Sequence, residues 1–319
     1  MAVPTEIKAV VITRPGTAEV KTVPLPTLPD DYILVRTTAV ALNPTDWKHV
    51  QGVGQNTGSI VGCDYAGVVE QVGSKVTKAF AKGDRVAGMV HGSNQSRPEG
   101  GAFGEYIIAK GDLQIKTPDN LSDVEAATLG VGISTVGQGL YQTLSLPPPN
   151  APSKVIPPPE ILIYGGSSAT GLLGIQFAAL SGYRVATTCS PSNFDYVRSL
   201  GASAAFDYRS PTIAADIQAW SADPDNLTLA WDCIGTEDSA KICANALSRT
   251  KEGKYRTLLR VDEKVVTGAN EKVSCGMTLA YTMFGEMFDK GKAVPAIPSH
   301  FEFGKGWWEV ARGCWSAGR

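Results

Sequence analysis

Between residues 161 and 178 the chain reads ILIYGGSSATGLLGIQFA: an apolar run, two adjacent glycines, three hydroxyl side chains, then small and apolar residues at helical spacing. Gly165 and Gly166, directly after a strand, let the backbone turn with positive φ and bring N–H groups close to a phosphate. Ser167, Ser168 and Thr170 add hydroxyl donors around Ala169 where the helix begins. Gly171 and Gly174, three apart on one face, let that helix lie close against a sheet or beneath a ligand. The spacing is not G-x-G-x-x-G, and a lone glycine-rich turn is weak evidence. Its weight comes from the strand–helix alternation it opens, and that alternation makes a nucleotide the expected ligand.

Which nucleotide follows from the end of the next strand. A site built for NAD places an Asp or Glu about 20 residues past the turn, where it accepts the ribose hydroxyls. Here the chain reads VATTCSPSNF, and its first acid, Asp195, lies inside the following helix. Ser190, Ser192 and Asn193 stand where the carboxylate would. Losing the acid removes repulsion toward a 2′-phosphate, and hydroxyls and an amide can donate to one, so the expected cofactor is NADPH. Ser and Asn also start helices, so the same residues could form a capping loop.

Metal chemistry finds little support. The histidines are His49, His91 and His300, and the six cysteines are scattered without a C-x-x-C pair. Cys63 in VGCDYAGVV has no partner at ligand spacing and reads as a buried small hydrophobe. No metal is expected. Without a Lewis acid to polarise an isolated ketone, a conjugated C=C is the better hydride acceptor. Its charge would spread onto a carbonyl that N–H, hydroxyl or Lys donors can stabilise. That points to an enoyl or enone reductase.

These residues need a scaffold. Up to about residue 120, β-rich runs (KAVVIT, YILVRTTAVAL, YAGVVEQVG, DRVAGMV, GEYIIA) alternate with Gly, Pro, Asn and Asp, which implies a compact β-barrel-like domain. From Ser122, with Glu125 three residues on as a capping box, the period becomes helical. Seven prolines between 146 and 160 read either as a stiff interdomain linker or as an exposed loop of the second domain. Then come ILIYG, a helix over 168–181, YRVATTC, a helix over 193–200, AAFDY, a helix over 212–220, LTLAWDCIG, a helix over 237–248 and YRTLLRV. This is an α/β pattern, a parallel sheet covered by helices on both faces. Near the end, Trp307, Val310 and Cys314 share a helical stripe that wants a core to cover it.

With 319 residues, two domains are the natural expectation. A net charge of −2 with scattered Lys and Arg leaves no electrostatic footprint for nucleic acid. There is no signal-peptide pattern at the start and no apolar run long enough for a bilayer, so a cytoplasmic enzyme is expected.

The motifs ALNPTDWK, VGCDYAGVV, GDRVAG, GGAFGEY, GISTVGQGL, YGGSSATG, CSPSNFDYVRSLGA, FDYRSP and LAWDCIG together resemble the medium-chain dehydrogenase/reductase superfamily in its zinc-independent, quinone-reductase-like branch. They are more similar still to the fungal trans-acting enoyl reductases of polyketide biosynthesis and the toxD-like proteins. The resemblance covers nearly the whole chain. It implies a GroES-like β-barrel over 1–124, a Rossmann doubly wound parallel sheet over 125–290 and a C-terminal helical segment over 291–319, with an active site in the cleft between the two domains. It also implies that the proline-rich segment is a loop before the first Rossmann strand. Members run further than this chain, returning strands to the barrel after the helix at 303–317, so the chain resembles a shortened form. Gly171 and Gly174 are shared with quinone-reductase-like relatives and do not single out the polyketide group. Where zinc-dependent relatives carry a ligand cysteine, this chain has the NPTDWK run; Cys63 stands where they carry a histidine, and the structural-zinc lobe is missing.

By position, Thr45, Asp46, Trp47 and Lys48 resemble the segment that meets the nicotinamide side of NADPH. Ser167, Ser168, Ala169 and Thr170 match the pyrophosphate turn. Ser190, Pro191, Ser192, Asn193 and Tyr208 match the adenosine-phosphate pocket. Leu258 and Leu259 follow the fifth Rossmann strand near the nicotinamide. Val136, Gly137, Gln138, Gly139, Leu140, Tyr141, Gln142 and Thr143, with Tyr281, Thr282, Met283, Phe284 and Gly285, resemble the walls of an acyl pocket.

The catalytic candidates are Lys48, to orient the nicotinamide ribose or an enolate oxygen, and Thr135, to donate to the nicotinamide amide or substrate carbonyl. An exposed turn lysine and a packed core threonine are the plain alternatives. Asp46 reads as a turn cap, His49 as a weaker proton-donor candidate, Asp232 as a loop anchor, and Trp307 and Trp308 as helix packing. The expected activity is NADPH-dependent reduction of an α,β-unsaturated acyl thioester delivered on a carrier protein of a polyketide synthase, by a monomer. A stand-alone quinone or enone reductase acting on small free substrates and a non-catalytic NADPH-binding protein are the alternatives.

Overall fold

The computed structural model describes residues 3–53, 56–221 and 223–316. The chain divides into two compact units, Met1–Ser134 with Tyr281–Arg319, and Thr135–Ala280. The expected divisions at 124/125 and 290/291 therefore move to 134/135 and 280/281.

The first unit begins with the antiparallel hairpin β1 (Glu6–Arg14) and β2 (Thr17–Pro24). The strands β3 (Tyr32–Ala41), β4 (Asp64–Val72), β5 (Arg85–Met89), β6 (Tyr106–Lys110) and β7 (Ile115–Lys116) form an antiparallel sheet in the order β6-β3-β4-β5-β7. Bridges Ala9–Gly104 and Val11–Ile60 tie the hairpin to it. Ile33, Val35, Tyr65, Val69, Val86 and Ile107 fill the core. Helix α1 (Pro44–Val50) leaves β3 through Asn43, and Pro44 at its first position has no N–H to leave unpaired. The capping box forms as expected at α2 (Asp123–Ala127), where Ser122 Oγ accepts from the Glu125 N–H. The helical run after it is broken rather than continuous. Helix α3 (Gly130–Val136) follows, then a π-helical segment over Gly137–Thr143. The four glycines at 130, 132, 137 and 139 account for the break, because glycine loses the most backbone freedom on entering a helix. The start of α3 is fixed to the sheet of the first unit, since the Val131 N–H donates to Asp64 Oδ1 (2.6 Å). That anchor moves the boundary past residue 124.

In the second unit the proline-rich residues form an irregular loop before β8 (Glu160–Tyr164), not an interdomain linker. There follow α4 (Ala169–Leu180), β9 (Arg184–Cys189), α5 (Phe194–Ser199), β10 (Ala204–Asp207), α6 (Ile213–Trp220), β11 (Leu227–Asp232), α7 (Glu237–Ala246), β12 (Gly253–Thr257), α8 (Glu263–Ala269) and β13 (Val273–Met277). The six strands are parallel in the order β10-β9-β8-β11-β12-β13. Counted along the chain this is 3-2-1-4-5-6, the doubly wound order, with its switch point between β8 and β11. All of β8 is buried, as expected of a parallel strand covered on both faces. At the centre of the sheet Trp231 is fully buried. A Cβ on Gly174 would lie 2.4 Å from its Cζ3, and one on Gly139 would lie 2.4 Å from its Nε1. Gly174 thus serves helix-on-sheet packing, the first of the two roles its spacing allowed.

The chain then returns to the first unit through a turn of helix over Ala280–Phe284, the short hairpin β14 (Phe288–Asp289) and β15 (Ala293–Val294), and α9 (Pro298–Ser316). Helix α9 starts five residues earlier than expected, with Pro298 at its head. Its covered stripe is Trp307, Trp308, Ala311 and Cys314, while Val310 is half-buried. The Trp307 indole N–H donates to the Ile133 carbonyl (2.8 Å), so residues 291–316 pack on the first unit. Among the described residues no helix is long and apolar enough to cross a membrane.

Candidate functional site

In the second unit the glycine turn sits at the carboxyl end of β8, beside the switch point. Gly165 has φ +80°, a conformation that favours glycine. Its N–H donates to Thr188 Oγ1 (3.0 Å), and the Gly166 N–H donates to the Thr188 carbonyl (2.8 Å), so the end of β9 fixes the turn. A Cβ on Gly171 would lie 2.3 Å from the Gly165 carbonyl oxygen; α4 can start this close only because residue 171 is glycine. Ser168 is the N-cap: its Oγ accepts from the Gly171 N–H (3.1 Å) and donates to the Gly165 carbonyl (2.7 Å). Ser167 and Ala169 are exposed, and Thr170 is half-buried. The twelve-residue α4 therefore presents its positive end at this edge.

Beyond β9, Ser190 is half-buried, Pro191 and Ser192 are exposed, and Asn193 is half-buried, forming one 3₁₀ turn before α5. Asp195 is exposed on α5. Tyr208, 44% exposed, follows β10. Beside it is Arg209, which the sequence reading did not single out; its guanidinium pairs with Asp207 (2.9 and 3.0 Å) and lies 5.5 Å from the Tyr208 ring centroid. An arginine next to Tyr208, which the resemblance set in the expected adenosine-phosphate pocket, was the available signal.

The loops after β11 and β12 complete this edge. Asp232, fully buried, accepts from the N–H groups of Ile234 (2.8 Å) and Gly235 (3.0 Å), from Ser239 Oγ (2.5 Å) and from Tyr255 Oη (2.7 Å). It anchors the loop, as its strand-end position suggested. Leu258 and Leu259 follow β12, and Leu259 is 41% exposed against Gly235. In residues 136–143, Val136, Gly137, Gln138, Gly139 and Leu140 are buried, and Tyr141, Gln142 and Thr143 are half-buried. Two of them are committed to packing: Gly139 on Trp231, and Tyr141, whose Oη donates to the Phe177 carbonyl (3.0 Å). Thr135 is buried as well.

In the first unit, α1 carries Thr45, Asp46, Trp47 and Lys48. Trp47 is 53% exposed, and the Lys48 Nζ lies 5.6 Å from its ring centroid. Asp46 is buried, and its Oδ2 accepts from the Asn43 N–H (2.7 Å), closing a capping box. Burial raises its carboxyl to about 6. Asp64, likewise buried, is raised to about 7 by desolvation against the pull of Asn43 and the Val131 N–H. Cys63 is buried with its thiol pushed up by burial, 3.3 Å from the Tyr281 hydroxyl.

Residues Tyr281, Thr282, Met283 and Phe284 are buried here, and Gly285 closes the turn with φ +65°. The Tyr281 ring stacks on His91 (centroids 4.0 Å, interplanar 16°), and its hydroxyl is 2.7 Å from Thr45 Oγ1. His49 Nδ1 lies 2.7 Å from the Thr45 carbonyl and 3.2 Å from Thr45 Oγ1, while Lys290 Nζ donates to its Nε2 (3.0 Å). Burial lowers His49 to about 4 and Lys290 to about 8. Lys290 was missed because nothing near it in sequence signals chemistry; the hairpin β14–β15 carries it to α1. All six cysteines are free thiols, and among the described residues no group of three or more His, Cys, Asp and Glu side chains could hold a metal ion.

A doubly wound sheet with a glycine turn at its switch point, joined to an antiparallel β-rich unit, is the build of a medium-chain dehydrogenase/reductase. Residues 29–119 match the alcohol dehydrogenase GroES-like domain. Trans-enoyl reductase resD of Aspergillus sclerotiorum is 48% identical over 326 residues, 98% of this chain and 90% of its own. Trans-enoyl reductase TOXD of Cochliobolus carbonum is 52% identical over 270 residues, 85% of this chain and 87% of its own. A mycobacterial protein in complex with NADPH shares the fold at a TM-score of 0.71 and 18% identity, over 97% of this chain and 88% of that one. The chain belongs to the trans-enoyl reductase family of that superfamily.

Proposed function

We propose that the protein is an NADPH-dependent enoyl reductase that acts in trans on an α,β-unsaturated acyl thioester carried by a polyketide synthase. The observation that carries this reading is the edge of the second unit, where the turn after β8, the carboxylate-free loop after β9 and the positive end of α4 converge at the switch point. That donor set suits a dinucleotide with a 2′-phosphate: N–H groups for a pyrophosphate, and two serines, an asparagine and an exposed tyrosine, with Asp207 beside that tyrosine already paired to Arg209. The names of the similar proteins support enoyl chemistry, and the NADPH complex of one structural neighbour supports the cofactor.

When bound, NADPH supplies a hydride for the β-carbon of the acyl chain. The roles assigned to this chain are binding and charge stabilisation. Ser167 to Thr170 hold the pyrophosphate; Ser190, Ser192 and Asn193 donate to the 2′-phosphate; Lys48, held over Trp47, offers an ammonium to the ribose or to the oxygen that gains charge. Incubating the protein with NADPH and an enoyl-pantetheine thioester, with a simple quinone as the comparison, tests the reading. Loss of reduced-nicotinamide absorbance with the thioester and saturated product by mass spectrometry are expected. Turnover of the quinone alone assigns a stand-alone reductase instead, and cofactor binding without turnover of either assigns a non-catalytic binder.

A further inference from the structure

We propose that Lys290, His49 and Thr45 form a proton relay whose last member, the Thr45 hydroxyl, protonates the α-carbon of the acyl chain; this rests on the enoyl-reductase reading. Three contacts set its direction. The Lys290 ammonium can only donate, so His49 Nε2, 3.0 Å away, is an acceptor. The neutral imidazole then carries its proton on Nδ1, which faces Thr45 at its carbonyl (2.7 Å) and its Oγ1 (3.2 Å). Thr45 Oγ1 is held by the Tyr281 hydroxyl at 2.7 Å, and Tyr281 is itself fixed by His91 on its ring and by Cys63 Sγ at 3.3 Å. Tyr281 is thus a positioning residue. Lys290 Nζ also lies 4.2 Å from the Tyr281 ring centroid, and Lys290 is half-buried, within reach of water for reloading.

The balance closes without an added reagent. The Thr45 O–H bond breaks as the electron pair of the enolate forms the new C–H bond at the α-carbon. Thr45 Oγ1 takes the His49 Nδ1 proton, Nε2 takes one from the Lys290 ammonium, and the amine regains a proton from water. The titratable groups facing the relay are Cys63 and Tyr281, both held protonated by burial, His91, held neutral by burial, and the Asp46 carboxyl at about 6. Lys290 alone changes charge near pH 8.

The test has two arms. In the free protein, ¹⁵N NMR of His49 is expected to show the Nδ1–H tautomer in wild type and in Lys290→Arg, which can still donate to Nε2. In turnover of an enoyl-pantetheine thioester, Lys290→Arg and Thr45→Val are each expected to lower kcat by about 100-fold, with KM unchanged. The wild-type fall in kcat above about pH 8 disappears in Lys290→Arg, and Thr45→Ser restores most of the rate. Arginine keeps the hydrogen bond but does not release a proton, so a purely structural role predicts a normal kcat for it. Wild-type kcat in Lys290→Arg, or an Nε2–H tautomer of His49, overturns the relay. If wild type reduces no enoyl thioester, the activity reading fails by itself, and the tautomer still decides whether the relay geometry exists.

Discussion

Asp232 is the buried group whose removal has the most readable cost. Its carboxylate takes two backbone N–H groups and the hydroxyls of Ser239 and Tyr255, all within the second unit. In Asp232→Asn one oxygen still serves the N–H pair, but an amide NH₂ replaces the acceptor of both hydroxyls. Each hydrogen bond to a charged group contributes about 1.5–3 kcal/mol. Ser239 can turn to the Thr236 carbonyl, 2.9 Å away, and recover part of its share. Tyr255 is fully buried, and its phenol proton loses its acceptor. The net cost is then about 2–4 kcal/mol, and the melting temperature of this unit should fall by roughly 5–15 °C. Urea denaturation followed by tryptophan fluorescence measures it, with Trp231 buried in the same unit. Tyr255→Phe, which removes one of the four donors, should cost about half as much, and the double variant should be far from additive. A cost below about 0.5 kcal/mol for Asp232→Asn would refute the reasoning, since that is the range of a surface substitution.

Ser190→Asp should set a carboxylate against a 2′-phosphate, raising the Kd for NADPH at least about tenfold while that for NADH holds or falls; fluorescence titration of both cofactors reads the ratio. Gly171→Ala should push α4 off the glycine turn, because the added Cβ would lie 2.3 Å from the Gly165 carbonyl, so NADPH binding should be lost while the sheet still folds by circular dichroism. Asp64 gives a pH test. Its folded pKa near 7 lies above the unfolded carboxylate value of about 3.9, so its contribution is present at low pH and lost as pH rises through 7. Asp64→Asn cannot ionise, and its stability relative to wild type should climb between about pH 4 and 7; a flat difference across that window contradicts the raised pKa.

The local signals that carried the sequence reading were those with short-range causes. The Ser122–Glu125 box and most of the strand runs depend on neighbours within a few residues, and the structure has them where the pattern put them, although YRTLLRV is a strand only as far as Thr257. The β13 strand and α8 were not read, because VSCGM and EKVVTGA are short and mixed in polarity and gain their structure from pairing with β12 and packing on α7. The helical spacing read from Ser122 to Leu144 is broken into separate segments because glycine spacing that suits packing, as at Gly139 against Trp231, also interrupts a helix. Thr45 and His49 could be singled out from α1, but Tyr281 and Lys290 meet them from far along the chain, and no local pattern reports such a meeting.

That meeting has a consequence for biosynthesis. The first unit is written in two instalments, and all of residues 135–280 is translated between them. Strands β1 to β7 must wait on the ribosome with the surface for Tyr281, Phe288 and α9 uncovered, while the sheet of the second unit can finish on its own. Chains released before residue 281 would carry Thr45 and His49 without the Tyr281 and Lys290 contacts that complete their surroundings.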